Sequence, residues 1–285
     1  MTDPKWFTDL KRRVRSARMA HEVLRRDPAS HPHGLSAPLI VSLTSYPERY
    51  ATLHLTLRAV IRQTVKADRI ILTLTEGDES KLPNEILGMQ KDGLVIRTYR
   101  NNIKSYTKLV PVLREHPEAF VATCDDDVYY QKDWLRSLVD CARQHPGRII
   151  SHRSHRVLHG EDGRLLSYEA WDKNIGEAAE GPDIFATGVS GVLYPPNALD
   201  PMVFDEERFM RLCPTADDLW FYWMARRHGT TVRHIGPKTR IVEWPGCDLS
   251  GLALTNRGVP HDNDNDRAIR ALTSELGLPF LPADA

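Results

Sequence analysis

PLIVSLTSYPERYATLHLTLRAVI, residues 38–61, changes its periodicity in the middle. Pro38 to Leu43 is a short apolar run, β-branched in part, which predicts a buried strand. Ser45 and Glu48 then stand at capping-box spacing with Pro47 in the first turn. Tyr50, Leu53, Leu57, Val60 and Ile61 follow on one face of a predicted helix. The same alternation continues downstream. RIILTL (69–74), LVIRTY (94–99) and AFVATC (119–124) read as strands. TKLVPVLREHP (107–117) reads as a helix kinked or broken at Pro111, and KDWLRSLVDCARQHP (132–146) as another helix. Alternating strands and helices predict an α/β fold with a mixed, mostly parallel sheet flanked by helices. Such sheets bind ligands beyond the carboxyl ends of their strands.

The pattern loosens after residue 150. RIISHR, GVLYPP and TTVRHI are strand-like, and ADDLWFYWMARRHG is a helix stopped by Gly229. No linker is rich enough to separate independently folding domains. The predicted organisation is an N-terminal basic helix (1–30), a main domain (38–245) and a C-terminal loop and helix (246–285) that close on the site.

The 285-residue chain carries 38 basic and 38 acidic side chains, so its net charge of zero argues against a nucleic-acid binder. Its 41% apolar content is enough for a core. Cys124, Cys141, Cys213 and Cys247 are scattered without a C-x-x-C pair, which reads as reduced thiols in a cytoplasmic protein. No apolar run approaches the ~20 residues of a membrane span. The N-terminal segment places Trp6, Leu10, Val14, Ala17, His21 and Leu24 at helical spacing among many arginines. Packing on the main domain is the favoured reading. Peripheral contact with the inner face of an anionic membrane is the alternative.

The first chemically pointed feature is Asp125, Asp126 and Asp127, three like charges where a strand ends. Repulsion disfavours that arrangement unless something positive neutralises it. In extended chain, Asp125 and Asp127 point to one side and Asp126 to the other. Two carboxylates are too few to hold a hard divalent cation alone, but suffice when a nucleotide's phosphates complete its shell. The plainer reading is an exposed acidic turn capping the next helix.

VSLTSYPER, YTKLVPVL, VATCDDDVYY, TGVSGVLYPP and TADDLWFYWMA, in that order, resemble glycosyltransferases of the GT-A (Rossmann-like) fold. More narrowly, they resemble the bacterial family 2-like enzymes of surface-polysaccharide synthesis. The likeness spans roughly residues 38–235. It implies a UDP-sugar or similar nucleotide-sugar donor, a glycan or lipid-linked glycan acceptor, and Mn2+ or Mg2+. By position, Thr44, Tyr46 and Arg49 would meet the nucleotide, Lys108 the diphosphate or base, and Gly188 and Gly191 the donor sugar. Asp127 and Asp125 would be metal ligands, with Asp125 also near the ribose and Asp126 able to share either role. Asp217 or Asp218 would be the base, with Asp218 preferred. The commoner pair there is Glu-Asp, a departure. His261 would be a further metal ligand.

Each has a plain structural alternative: a helix cap at 44–49, a solvated lysine, a tight turn at 188–191, helix-dipole carboxylates at 217–218, and a polar loop at 261–266. Trp220 and Trp223 read as core. Interleaved arginines speak against a metal site at His152, His155 and His159. A nucleotidyltransferase is the second enzymatic reading, although LTSYPER lacks a glycine-rich phosphate loop. A non-catalytic nucleotide-sugar-binding partner in polysaccharide assembly is the third.

Overall fold

In the computed structural model, residues 5–27, 31–244 and 263–279 are described. The strands are β1 (His31–Pro32), β2 (Leu39–Thr44), β3 (Val65–Lys66), β4 (Arg69–Thr75), β5 (Leu94–Tyr99) and β6 (Phe120–Thr123). After these come β7 (Ile149–Ser151), β8 (Ser154–Arg156), β9 (Ala179–Gly181), β10 (Ile184–Ala186), β11 (Val192–Tyr194) and β12 (Val232–His234). The helices are α1 (Lys5–Arg25), α2 (Tyr50–Ile61), α3 (Asn84–Gly88), α4 (Val110–Glu115), α5 (Trp134–Gln144), α6 (Glu206–Leu212), α7 (Asp217–Arg227) and α8 (Asp264–Leu276).

Eight strands form one sheet in the order β5-β4-β2-β6-β11-β7-β12-β9. The first four of these are mutually parallel, as the alternation predicts. β11 runs antiparallel to both β6 and β7, β12 is parallel to β7, and β9 closes the edge antiparallel. The expected fold class, a mixed, mostly parallel sheet flanked by helices, is therefore present.

Alternation within β2 decides what each face buries. Leu39, Val41 and Leu43 face a core formed with α2 and α5, while Ile40 faces a second core with α4, α6 and α7. Leu53 and Leu57 of α2 are fully buried in the first core, worth about 1.5–3 kcal/mol each. Trp220 and Trp223 are fully buried in the second, as their core reading requires.

Several local readings change. Ser45 does not cap a helix: the chain enters a 3-10 turn at Pro47–Arg49 with no side-chain cap, because the Ser45 hydroxyl is bonded to Asp126 instead. Pro111 does not kink a helix but sits in the first turn of α4, where its missing N–H costs nothing. RIISHR (148–153) supplies only β7, and the three residues that follow it, Ser154–Arg156, form β8 in a different sheet.

α1 packs on the body, but not through the stripe that its spacing suggests. Its buried side chains are Ser16 and Val23, with Met19 and Ala20 partly buried against the same core. Ser16 donates to the Glu243 carbonyl at 2.9 Å. Buried Arg26 follows the helix and donates to the Ala59 and Tyr130 carbonyls at 3.0 Å each. Leu10, Val14 and Leu24 point to solvent.

Candidate functional site

β2 and β6 are parallel neighbours, so the turns that follow them share one sheet edge. β11 is antiparallel to β6 with Val192 opposite Thr123, so the loop entering β11 reaches the same edge. The sheet thus brings together residues 44–49, 125–127 and 188–191. α7 adds Asp217 and Asp218 from its first turn.

Lys108 is the centre. It ends a 3-10 turn, Lys104–Lys108, anchored by Tyr106. The Tyr106 ring stacks on Phe209 at 3.9 Å, and its hydroxyl donates to the Cys213 carbonyl at 2.7 Å. The Lys108 side chain is 8% exposed, and its ammonium lies 3.0 Å from Asp125 Oδ1 and 3.2 Å from Asp217 Oδ2. Burial disfavours its charge, yet Asp125, Asp217 and Asp218 together hold its pKa well above the lysine value. The surface-lysine alternative is overturned.

Asp218 accepts the Gly188 N–H at 2.9 Å through Oδ2. Burial, then the neighbouring charge of Asp217, lifts its pKa to about 7. Asp217 accepts from the Ser105 hydroxyl at 2.8 Å through Oδ1. Its buried Oδ2 makes no hydrogen bond, only the ionic contact with Lys108.

The aspartate triplet is divided between two cations. Asp125 turns to Lys108. Asp127 pairs with Arg49, and Asp126 lies 3.6 Å from the same guanidinium. Asp126 also accepts from the Ser45 hydroxyl. Burial, then the charge of Asp127, raises the Asp126 pKa to about 7. Burial and then Asp125 raise that of Asp127. Arg49 donates through Nε to the Tyr46 hydroxyl at 3.1 Å and lies 5.6 Å from that ring's centre. Tyr46 is 36% exposed beside the arginine. Thr44 is half-buried at the end of β2.

The turn's backbone is held by residues that sequence reasoning did not reach. Tyr130 accepts the Asp125 N–H at 2.8 Å and donates to the Val189 carbonyl at 3.1 Å. Thr56 donates to the Asp126 carbonyl at 2.8 Å and accepts the Trp244 indole N–H at 2.7 Å. The Trp244 backbone N–H donates to the Asp127 carbonyl at 2.9 Å. Thr56 lies on the buried face of α2, and Trp244 is remote in sequence, so neither carries a local signal.

The two glycines differ in duty. A Cβ on Gly188 would lie 2.9 Å from both Lys108 Nζ and Asp218 Oδ1. Gly191 has φ +98°, and a Cβ there would lie 2.5 Å from the Trp134 ring. Gly188 therefore borders the charge cluster, while Gly191 admits Trp134, whose indole donates to the Ser190 carbonyl at 2.8 Å. Gly188→Ala is expected to cost about 1–3 kcal/mol by overpacking, read as a lower urea midpoint.

His261 lies outside the described residues, as does Cys247. His152 and His155 are structural. Burial depresses their pKa values to about 4 and about 3, with the Arg153 charge the next contribution at His155. His155 Nδ1 accepts the Asn174 N–H at 3.0 Å, which requires the neutral ring. Between pH 6.5 and about 3 the unfolded chain therefore binds a proton that the fold refuses. Asp126 and Asp218 act in the opposite sense, taking up protons in the fold near pH 7. The histidine effect is thus read as a difference. The stability advantage of wild type over His155→Gln should shrink by about 2 kcal/mol from about pH 7 to about pH 5, measured by urea unfolding.

No protein-family model and no curated protein sequence matches this chain. Its likenesses are to solved structures. TarS 1–349 from S. aureus shares 12% identity with a TM-score of 0.48, over 84% of this chain and 72% of that one. The same protein in complex with UDP matches at 12% and 0.47, over 72% and 59%. GalNAc-T7 with UDP, GalNAc and Mn2+ matches at 13% and 0.45, over 77% of this chain and 47% of that one. These are distant likenesses, so the chemistry has to come from the chain's own residues.

Proposed function

We propose that the protein is a glycosyltransferase of the GT-A kind, moving a sugar from a nucleotide-sugar donor, a UDP-sugar in the first instance, to a hydroxyl of a glycan or lipid-linked glycan in the cytoplasm. One observation carries this reading. Two acidic clusters about ninety residues apart meet across a single buried lysine, through Asp125 of one and Asp217 of the other, at the carboxyl edge of the parallel strands. One cluster is suited to phosphate-linked charge and the other to a proton.

The donor's base and ribose would lie along Tyr46 and the 44–49 turn, with its phosphates between Arg49 and Lys108. Both cations now hold carboxylates, and phosphate would replace these as partner. Mn2+ or Mg2+ fits this donor set. Asp125, Asp126, Asp127, Asp217 and Asp218 gather around Arg49 and Lys108, so carboxyl groups outnumber these two buried cations. Among the described residues no group of three ligating side chains forms a cage, so Asp125 and Asp127 would hold the ion only alongside phosphate oxygens. Bound there, it would supply charge neutralisation of the departing diphosphate. Asp218 would accept the proton of the attacking acceptor hydroxyl, since a carboxyl with pKa about 7 sits near the operating pH of a general base. Asp217, tied to Ser105 and Lys108, would hold the cluster's geometry. In-line attack would invert the anomeric configuration.

The test is incubation with Mn2+ and a panel of UDP-, GDP- and CDP-sugars. Slow release of nucleoside diphosphate from one of them is the expected result. Release of pyrophosphate from a nucleoside triphosphate and a sugar phosphate would instead favour a nucleotidyltransferase. Binding without turnover in the presence of acceptor glycans would favour a non-catalytic partner.

A further inference from the structure

We propose that the outward face of α1 is a docking surface for anionic lipid bilayers. The three most exposed large apolar side chains among the described residues are Val14 at 61%, Leu10 at 49% and Leu24 at 48%. All three lie on α1, and at about 100° per residue they fall within an arc of about 80°, with exposed Ala17 and His21 between Val14 and Leu24 on the same face. That stripe runs for about 21 Å at 1.5 Å per residue. The other exposed large apolar residues, from Tyr46 to Ile241, are less exposed and scattered over separate elements.

The inward face of the helix is already committed to the body through Ser16, Val23 and, just past its end, Arg26. The outward stripe is therefore additional to what the fold needs. Its borders are basic. At 100° per residue Arg13 falls on one side of the stripe and Arg18 and Arg25 on the other, and all three are exposed. From Leu10 to Leu24 the one acidic residue is Glu22, which is turned away to pair with Arg26 at 2.7 Å.

Charge complementarity selects the occupant. An apolar stripe between basic borders matches the boundary between acyl chains and anionic headgroups, where such helices lie in the plane of the membrane. A second copy of this helix would set arginine against arginine. No helix of the described residues is long and apolar enough to cross a membrane, so the contact is a surface one. The proposal does not depend on the reaction assigned above.

The experiment is co-sedimentation of the full chain with phosphatidylcholine vesicles, with and without about a third phosphatidylglycerol. Binding to the acidic vesicles alone, weakened by salt, is expected. The triple variant Leu10→Glu, Val14→Glu, Leu24→Glu should lose at least about tenfold in partition. The triple variant Arg13→Glu, Arg18→Glu, Arg25→Glu should lose as much. All six positions are exposed, so circular dichroism should stay unchanged and show that each variant is folded. Failure of the wild type to bind, equal binding to neutral vesicles, or full binding by the apolar triple variant would overturn the proposal. So would a dimer in sedimentation velocity that the triple variant abolishes without any vesicle binding, which would assign the face to a second copy. An acidic protein that binds this face while vesicles do not would overturn it equally.

Discussion

Lys108→Met is expected to lower the stability of the folded protein by about 3–5 kcal/mol at about pH 8. The ammonium is almost wholly buried between Asp125 and Asp217, with Asp218 within electrostatic reach. Removing it leaves buried Asp217, and Asp218 beside it, without their counter-charge, and that uncompensated burial is the main cost. The sign with pH follows. As pH falls, the orphaned carboxylates take up protons in the fold and the repulsion disappears. The deficit relative to wild type should therefore shrink toward about pH 5, the reverse of ordinary acid destabilisation. Urea unfolding of both proteins across that range checks it. A deficit independent of pH would mean that Lys108 acts by packing and not by charge.

Asp218→Asn is the second large effect. If Asp218 is the base, its loss should reduce transfer by about 10²–10⁴-fold. Stability should be held or raised, because burial and Asp217 already work against the charge on Asp218. Asparagine can still accept the Gly188 N–H. Donor binding, followed by titration calorimetry with Mn2+, should survive. Asp127→Ala makes the contrast: it frees Arg49 and should weaken metal-dependent donor binding itself. If Asp218→Asn keeps full transfer, the proton passes to Asp217 or elsewhere. If Asp127→Ala binds donor with unchanged metal dependence, the assignment of the aspartate turn is wrong.

Much of this architecture is readable from residue order. β2, β4, β5 and β6 announce themselves as apolar runs, and their alternation with helices puts the turns after β2 and β6 on one edge. What stayed hidden was partnership. Ser45 and Glu48 have the spacing of a cap, yet Ser45 serves Asp126, because a buried carboxylate competes for the hydroxyl more strongly than an exposed backbone N–H does. The triplet's alternation was visible, but not that Asp125 and Asp127 would answer to different cations. Lys108 was singled out only by the resemblance, since local sequence carries no trace of carboxylates 17 and 109 residues away. The stripe of Leu10, Val14 and Leu24 was plain, yet hydrophobic spacing alone does not say whether a stripe meets the body or something outside it.

The strap formed by residues 242–244 has a consequence for how the protein is made. Tyr129 donates to the Val242 carbonyl, Val128 bridges to Glu243, and Trp244 closes on Asp127 and Thr56. The aspartate turn is translated more than a hundred residues before the segment that completes its hydrogen bonds. A ribosome-bound chain that has exposed every strand of the parallel half still lacks that clasp. If the turn binds the donor as proposed, donor affinity should arrive late and abruptly during synthesis, once Trp244 has left the exit tunnel, and not grow in step with chain length.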